Sequence, residues 1–222
     1  MEAKAVAATW EIRESRGEEL ANSLLHGLGV AGSVAGLSVM VVMSALYGDA
    51  WHVVASAIYG ASLVLLYLCS TLYHAFPWPR AKRVFEVFDH SAIYVLIAGT
   101  YTPFTLVSLR GPTGWTVFGI VWGLAALGIT MQAVFPGRWR GLMTAMYVAM
   151  GLICVPFLGS LSRAMGTAGV AWLLGGGIAY IAGVYFYYRK RFDYSHAVWH
   201  VFVLAGSVCH FFGILFHVLP QA

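Results

Sequence analysis

The sequence predicts an all-α integral membrane protein: a bundle of seven transmembrane helices, with the N-terminus in the cytoplasm and the C-terminus outside. Three observations support this prediction: the composition, the number of apolar windows and the distribution of basic residues. Of the 222 residues, 60% are hydrophobic and 10% are charged, whereas about a quarter of the residues of a soluble domain are charged. We therefore expect nearly the whole chain to lie in the bilayer.

Apolar windows of about 20 residues, each long enough to cross the hydrocarbon core, predict the seven spans. They fall at residues 23–46, 52–75, 87–108, 115–135, 141–161, 168–187 and 195–217. The expected organisation is a cytoplasmic segment over 1–22, a transmembrane domain over 23–217 and a short extracytoplasmic tail over 218–222. The polar N-terminal segment lacks the pattern of a signal peptide, so we expect the first window to remain as a span.

Lysine and arginine residues predict the orientation, because cytoplasmic loops of membrane proteins are rich in them. One side of the predicted membrane holds Lys4, Arg13, Arg16, Arg80, Lys82, Arg83, Arg138, Arg140, Arg189, Lys190 and Arg191, and the other holds Arg110 and Arg163. The net charge of +4 thus comes from residues between spans and indicates no nucleic-acid partner. Membrane lipids in a cell membrane are the expected partners, and the sequence indicates neither a protein partner nor an oligomeric state.

Ionisable side chains collect at the cytoplasmic ends of these spans, and such residues usually mark a functional interior. His196 and His200 share one face at the start of the seventh span, His74 closes the second span and Asp89 opens the third. Two histidines at i and i+4 are how a helix presents two imidazoles to one metal ion. A third histidine from another helix completes the ligand set of a catalytic zinc site, so the residues favour a metal site.

Each of these residues also has a simpler explanation. The histidines could be hydrogen-bond partners between helices. Asp89 is placed to hold or deprotonate a water molecule, or else to pair with Lys82 or Arg83 at the membrane surface. Ser70, one turn before the end of the second span, could serve the site or bond back to the carbonyl of Leu66.

Further polar residues lie close to this level or deeper in the membrane. Three polar residues at the start of the first span are candidates for contacting the metal ligands without binding the metal ion themselves: Glu19, Asn22 and His26. Ser207 continues the polar face of the seventh span. His210 lies about 15 Å beyond His200 by helical rise, too far to share its metal ion. We predict that His210 is a buried hydrogen-bonding group.

The chain resembles the haemolysin III branch of the progestin and adiponectin receptor superfamily in four stretches. They are ELANSLLHGLG (19–29), STLYHAF (70–76), FDHSAIYVLIAGTYTPF (88–104) and SHAVWHVFVLAGSVCHFFGI (195–214). The resemblance extends from the first span to the seventh, with the pattern S-x-x-x-H, D and S-H-x-x-x-H spread over three spans.

This resemblance implies a zinc ion held near the cytoplasmic face by His74, His196 and His200. It also implies that Asp89 contacts the metal-bound water and that Ser70 belongs to the site. The chain departs from the receptors because it lacks their long cytoplasmic N-terminal domain and has a very short extracellular tail. Receptor activity is therefore not expected.

The leading functional hypothesis is a zinc-dependent hydrolase of a membrane lipid amide, such as a ceramide-like molecule. Zinc would activate water, Asp89 would transfer its proton to the leaving amine, and Ser70 would help to stabilise the oxyanion. The alternative is a non-enzymatic, zinc-stabilised protein that senses or regulates membrane lipid composition, favoured if Asp89 is a direct fourth ligand. A cytolysin is a third hypothesis, although the sequence shows no secretion signal. A rhodopsin-like pigment is excluded because the seventh span lacks a lysine.

Overall fold

The computed structural model describes residues 14–188 and 193–220, most of which are helical. The elements are α1 Arg16–Tyr47, α2 Ala50–Ala75, α3 Pro79–Pro103 with a π-helical turn Phe104–Ser108, α4 Pro112–Val134, α5 Arg140–Leu152, a 3₁₀ turn Val155–Phe157, α6 Leu158–Tyr188 and α7 Ser195–His217.

Within these described ranges, six helical segments are long and apolar enough to cross a membrane, judged by length and composition. Five of the sequence windows correspond to one segment each. The windows at 141–161 and 168–187 fall together in Arg140–Tyr188, a segment of 49 residues that is interrupted at Gly166, where φ is 74°. The helical membrane architecture agrees with the prediction, and the count of seven spans stays a prediction.

Helices α1 and α3 begin well before their apolar windows, because polar residues and proline extend them. Helix α1 begins at Arg16, where the side chain of Ser15 accepts a hydrogen bond from the backbone N–H of Glu18 at 3.1 Å. Helix α3 begins at Pro79, in a position where proline loses no intrahelical hydrogen bond. The cytoplasmic segment expected over 1–22 is therefore helical from residue 16, which places Glu18 and Glu19 on a regular helix.

Two clusters of buried apolar side chains hold the helices together. The first joins α1, α2, α3, α6 and α7 around Tyr59 and Ile214, and the second joins α3, α4 and α5 around Tyr94 and Met150. Large apolar residues also cover the outside of the bundle, and Leu28 is 71% exposed. Such an apolar exterior is what a lipid-facing surface requires.

Helices α6 and α7 approach closely where glycine faces an aromatic ring. A Cβ atom at Gly176 would overlap the imidazole of His210. In this position Nε2 of His210 lies 3.0 Å from the carbonyl oxygen of Leu173 and donates to it. The prediction that His210 is a buried hydrogen-bonding group is confirmed.

Candidate metal centre

Helices α2 and α7 bring three histidines together at one end of the bundle. His74 lies in the last turn of α2, and His196 and His200 lie in the first two turns of α7. One ligand-capable atom from each histidine lies within 4.8 Å of those of the other two. Two nitrogen ligands of one tetrahedral zinc ion are about 3.3 Å apart, so the cluster needs to contract by less than about 1.5 Å to bind zinc.

The hydrogen bonds of these rings leave nitrogen atoms without a partner. Nδ1 of His74 lies 2.7 Å from Oε2 of Glu19, and Nδ1 of His196 lies 2.7 Å from Oε1 of Glu14. Nε2 of His74 and Nδ1 of His200 are buried and have no hydrogen-bond partner in the part of the chain that the structure describes. A buried, unpaired polar atom costs about 1–3 kcal/mol, so a ligand for these nitrogens stabilises the site. Neutral imidazoles with free nitrogens fit a zinc ion.

Helix α1 contributes the other polar groups of the cluster. Nδ2 of Asn22 donates to Oε2 of Glu14 at 2.7 Å. The ring of His26 stacks on that of His200, with centroids 3.7 Å apart and an angle of 12° between the planes. Both nitrogens of His26 are buried and lack a partner among residues 14–188 and 193–220. The structure thus brings Asn22, His26 and Glu19, which the sequence suggested, to the histidine cluster.

The sequence reasoning did not identify Glu14 or Glu18 as part of this cluster. Glu18 accepts a hydrogen bond from the backbone N–H of His196 at 3.1 Å, so the start of α1 is joined to the start of α7. Acidic residues are common in the first turn of any helix, because they interact favourably with its N-terminal dipole. Glutamates just before an apolar window are therefore also expected at an ordinary solvated helix start. For this reason the sequence did not single out Glu14 and Glu18.

Asp89 lies on α3, half-buried, and lines the same cavity as the histidines. It does not belong to the group of ligand atoms within 4.8 Å of one another. The pairing with Lys82 or Arg83 that the sequence left open does not occur among the described residues, because Lys82 forms its ion pair with Glu19. Asp89 therefore lines the cavity without an ion pair to Lys82 or Arg83, which lie on the same helix.

Ser70 is buried on α2, one turn before His74, and also lines the cavity. The expected alternative, a hydrogen bond from Ser70 to the carbonyl of Leu66, is not formed in the described structure, although the neighbouring Thr71 does bond back to Tyr67 at 2.7 Å. The hydroxyl group of Ser70 is thus not committed to its own helix.

The cavity has a volume of about 1560 Å³ and extends from the histidines to Leu173 and His210 in the middle of the bundle. Most of its lining is apolar, and α3, α5, α6 and α7 supply many of the apolar side chains. Leu152 of α5 and Ile178 of α6 line it and are exposed. The space is larger than the roughly 300–1,000 Å³ of an ordinary small-molecule site.

A buried polar network lies at the deeper level of the cavity. The hydroxyl of Tyr67 donates to Oγ of Ser207 at 2.7 Å, and the hydroxyl of Tyr180 lies 2.8 Å from the same atom. Ser207 therefore faces the interior, as the helical spacing predicted. This network joins α2, α6 and α7 below the histidine cluster.

Comparison with known proteins gives the chain its family. The family model described as "Haemolysin-III related" matches residues 15–211. The chain is 43% identical to "Hemolysin-3" of Bacillus cereus over 205 residues, covering 92% of this chain and 94% of that protein. It is 44% identical to "Hemolysin-3 homolog" of Bacillus subtilis (strain 168) over 200 residues, 90% of this chain and 94% of that one. It is 26% identical to the human "Monocyte to macrophage differentiation factor" over 203 residues, 89% of this chain and 83% of that one. The chain belongs to the haemolysin-III family.

Proposed function

We propose that this chain crosses a cell membrane seven times, with its N-terminus in the cytoplasm and the histidine cluster near the cytoplasmic face. The segment Arg140–Tyr188 supports two of these spans. A continuous α-helix of 49 residues would reach more than 70 Å at about 1.5 Å per residue, over twice the roughly 30 Å core of a bilayer. The interruption at Gly166 lies between the two apolar windows. The orientation rests on the distribution of lysine and arginine.

The proposed site is a zinc ion held by His74, His196 and His200. The proposed activity is hydrolysis of a membrane lipid amide, such as a ceramide-like molecule. One observation supports this function above all. Three convergent imidazoles, two of them buried with an unpaired ring nitrogen, lie at the end of a long and mainly apolar cavity. An apolar cavity of this volume suits a long-chain substrate whose polar group reaches the histidines.

The residues around the cavity can complete the chemistry. Zinc at this position would supply a Lewis acid and make water acidic near neutral pH. The carboxylate of Asp89 takes a proton from the attacking water and returns it to the nitrogen of the leaving amine. The hydroxyl of Ser70 donates a hydrogen bond to the carbonyl oxygen as that atom becomes negative. Water adds to the carbonyl carbon, the C–N bond breaks, and a fatty acid and an amine are released.

The test is hydrolysis of a ceramide by the purified protein in lipid nanodiscs, with the released fatty acid measured by mass spectrometry. We expect Asp89→Asn to abolish most of the release while the protein retains its zinc. Glu86→Gln is the matched control, because Glu86 is a carboxylate of the same helix that also lines the cavity but pairs with Arg140 at 3.1 Å. Fatty acid release that is equal in wild type and Asp89→Asn would contradict the assignment of Asp89.

A second candidate, a non-enzymatic protein stabilised by zinc that responds to membrane lipids, is favoured by the helix packing. Helix α2 packs mainly against α1 and α3, whereas α7 packs mainly against α6 and α1. A metal ion bound by His74 and by the two histidines of α7 would join helices that otherwise make few direct backbone contacts. A large loss of thermal stability on zinc removal, together with no hydrolysis of any lipid amide, would favour this candidate.

A further inference from the structure

Glu14, just before α1, and Glu19, in α1, each contact the Nδ1 atom of a different histidine. Glu19 contacts His74 and Glu14 contacts His196, each at 2.7 Å. The two histidines belong to different helices, and neither helix is α1. One short segment of chain thus contacts members of the candidate ligand set on both α2 and α7.

The chemistry of the contacts assigns the ring protons. An ionised carboxylate only accepts hydrogen bonds, so Nδ1 of each histidine carries the hydrogen and donates it. The lone pair of the neutral ring is then on Nε2. In His74 this Nε2 is the buried nitrogen that has no partner within the described ranges. The unpartnered nitrogen is therefore the one that can accept a metal ion.

Each of the four carboxylate oxygens already has a partner, which fixes both side chains. Oε1 of Glu19 pairs with the ammonium group of Lys82, while Oε2 contacts His74. Oε1 of Glu14 contacts His196, while Oε2 accepts from Asn22. Side chains held at both oxygens lose little further freedom when they orient a ring.

A second metal ion at Glu14, Glu19 and His74 is the competing interpretation, because their ligand atoms also lie within 4.8 Å of one another. The ammonium group of Lys82 already occupies the cation position next to Glu19. Nδ1 of His74 would also have to lose its proton to bind a second ion. Hydrogen bonding around one centre accounts for the contacts of Glu14 and Glu19 with the histidines, whereas a second ion would have to displace the ammonium group of Lys82 from Glu19.

We propose that Glu14 and Glu19 are positioning residues of the histidine centre. Glu14 holds His196, and Glu19 holds His74, in the tautomer that directs Nε2 towards the shared site. Glu14 and Glu19 thereby raise the zinc affinity of a centre to which they supply no ligand. This inference rests on the proposed zinc site. Hydrogen-bond partners of this kind typically change metal affinity by about 10–100-fold when they are removed.

The experiment measures zinc affinity by competition with a chelator, and the absorption spectrum of the Co²⁺-substituted protein, for the full-length chain in detergent. We expect Glu14→Ala and Glu19→Ala each to weaken zinc binding by about 10–100-fold and to shift the Co²⁺ bands. Glu14→Gln should recover part of the affinity, because its amide oxygen can still accept from Nδ1–H. Glu86→Gln, which replaces a carboxylate paired with Arg140, should leave both measurements unchanged.

The outcomes separate this inference from the proposed function. If the wild type binds no zinc, the zinc site itself is wrong. If the wild type binds one zinc per chain and both alanine variants keep its affinity and Co²⁺ spectrum, only the positioning role is refuted. Two zinc ions per chain, with one lost in Glu14→Ala, would also overturn it in favour of the second metal site. Melting temperatures of the zinc-free variants show whether an effect on affinity arises from unfolding.

Discussion

Replacing His200 by alanine should remove most of the zinc affinity, whereas replacing His210 should not. Both residues are buried histidines of α7, 2% and 7% exposed. They are ten residues apart, about 15 Å along the helix, so one zinc ion with bonds of about 2 Å cannot reach both. The two variants carry the same substitution on the same helix, but only His200 lies near His74 and His196.

The size of the effect follows from the ligand count. Structural zinc sites with four protein ligands bind with roughly 10–16 kcal/mol, or about 2.5–4 kcal/mol per ligand. Loss of one ligand from the three therefore weakens binding by about 10²–10³-fold. His210→Ala loses its hydrogen bond to the carbonyl of Leu173, worth about 1 kcal/mol, and leaves a void beside Gly176. We expect this variant to melt at a lower temperature but to keep its zinc.

The assay is zinc content by mass spectrometry, followed by chelator competition, on protein purified in detergent without added metal. Thermal unfolding is followed for both variants, so that a loss of zinc is not confused with a loss of fold. Zinc retained at full affinity in His200→Ala would refute the ligand assignment. Zinc lost from a folded His210→Ala would refute the distance argument.

Two further predictions concern the framework around the site. Gly166→Ala should destabilise the protein by about 1–3 kcal/mol, because φ of 74° with ψ of 167° is a backbone conformation accessible essentially only to glycine. The control is Gly175→Ala, where a Cβ atom meets no other atom within 4 Å. Equal melting temperatures of the two variants would contradict the argument. A hydrogen bond with His52 and the side chain of Arg110 hold the pKa of Asp49 below its usual value. The ionised carboxylate therefore stabilises the folded protein above the unfolded-state pKa of about 3.9. This stabilisation is lost as the pH falls through the lower pKa of the folded state. The melting temperature of wild type should therefore exceed that of Asp49→Asn near neutral pH, and the difference should shrink in strong acid; a difference that grows in acid would show that the sign is wrong.

Much of the architecture could be predicted because it depends on neighbours in sequence. The length of an apolar window is set by the thickness of the bilayer, and the i, i+4 spacing of His196 and His200 places them on one face of any helix. The helical rotation of about 100° per residue likewise placed Ser207 on the face of His196, where Tyr67 and Tyr180 contact it. The helix starts were less well predicted, since capping by Ser15 extends α1 beyond its apolar window.

The sequence by itself determined that this is a helical membrane protein, and its four motif stretches indicated the haemolysin-III family. Composition and helical period suffice for the membrane helices, because each acts within one helix. Only the tertiary structure decided that Glu14 contacts His196, that Lys82 pairs with Glu19 instead of Asp89, and that His26 stacks on His200. These pairings depend on how each helix is rotated and how it crosses its neighbours. Such angles arise from packing of side chains far apart in the chain, and no spacing along one helix specifies them.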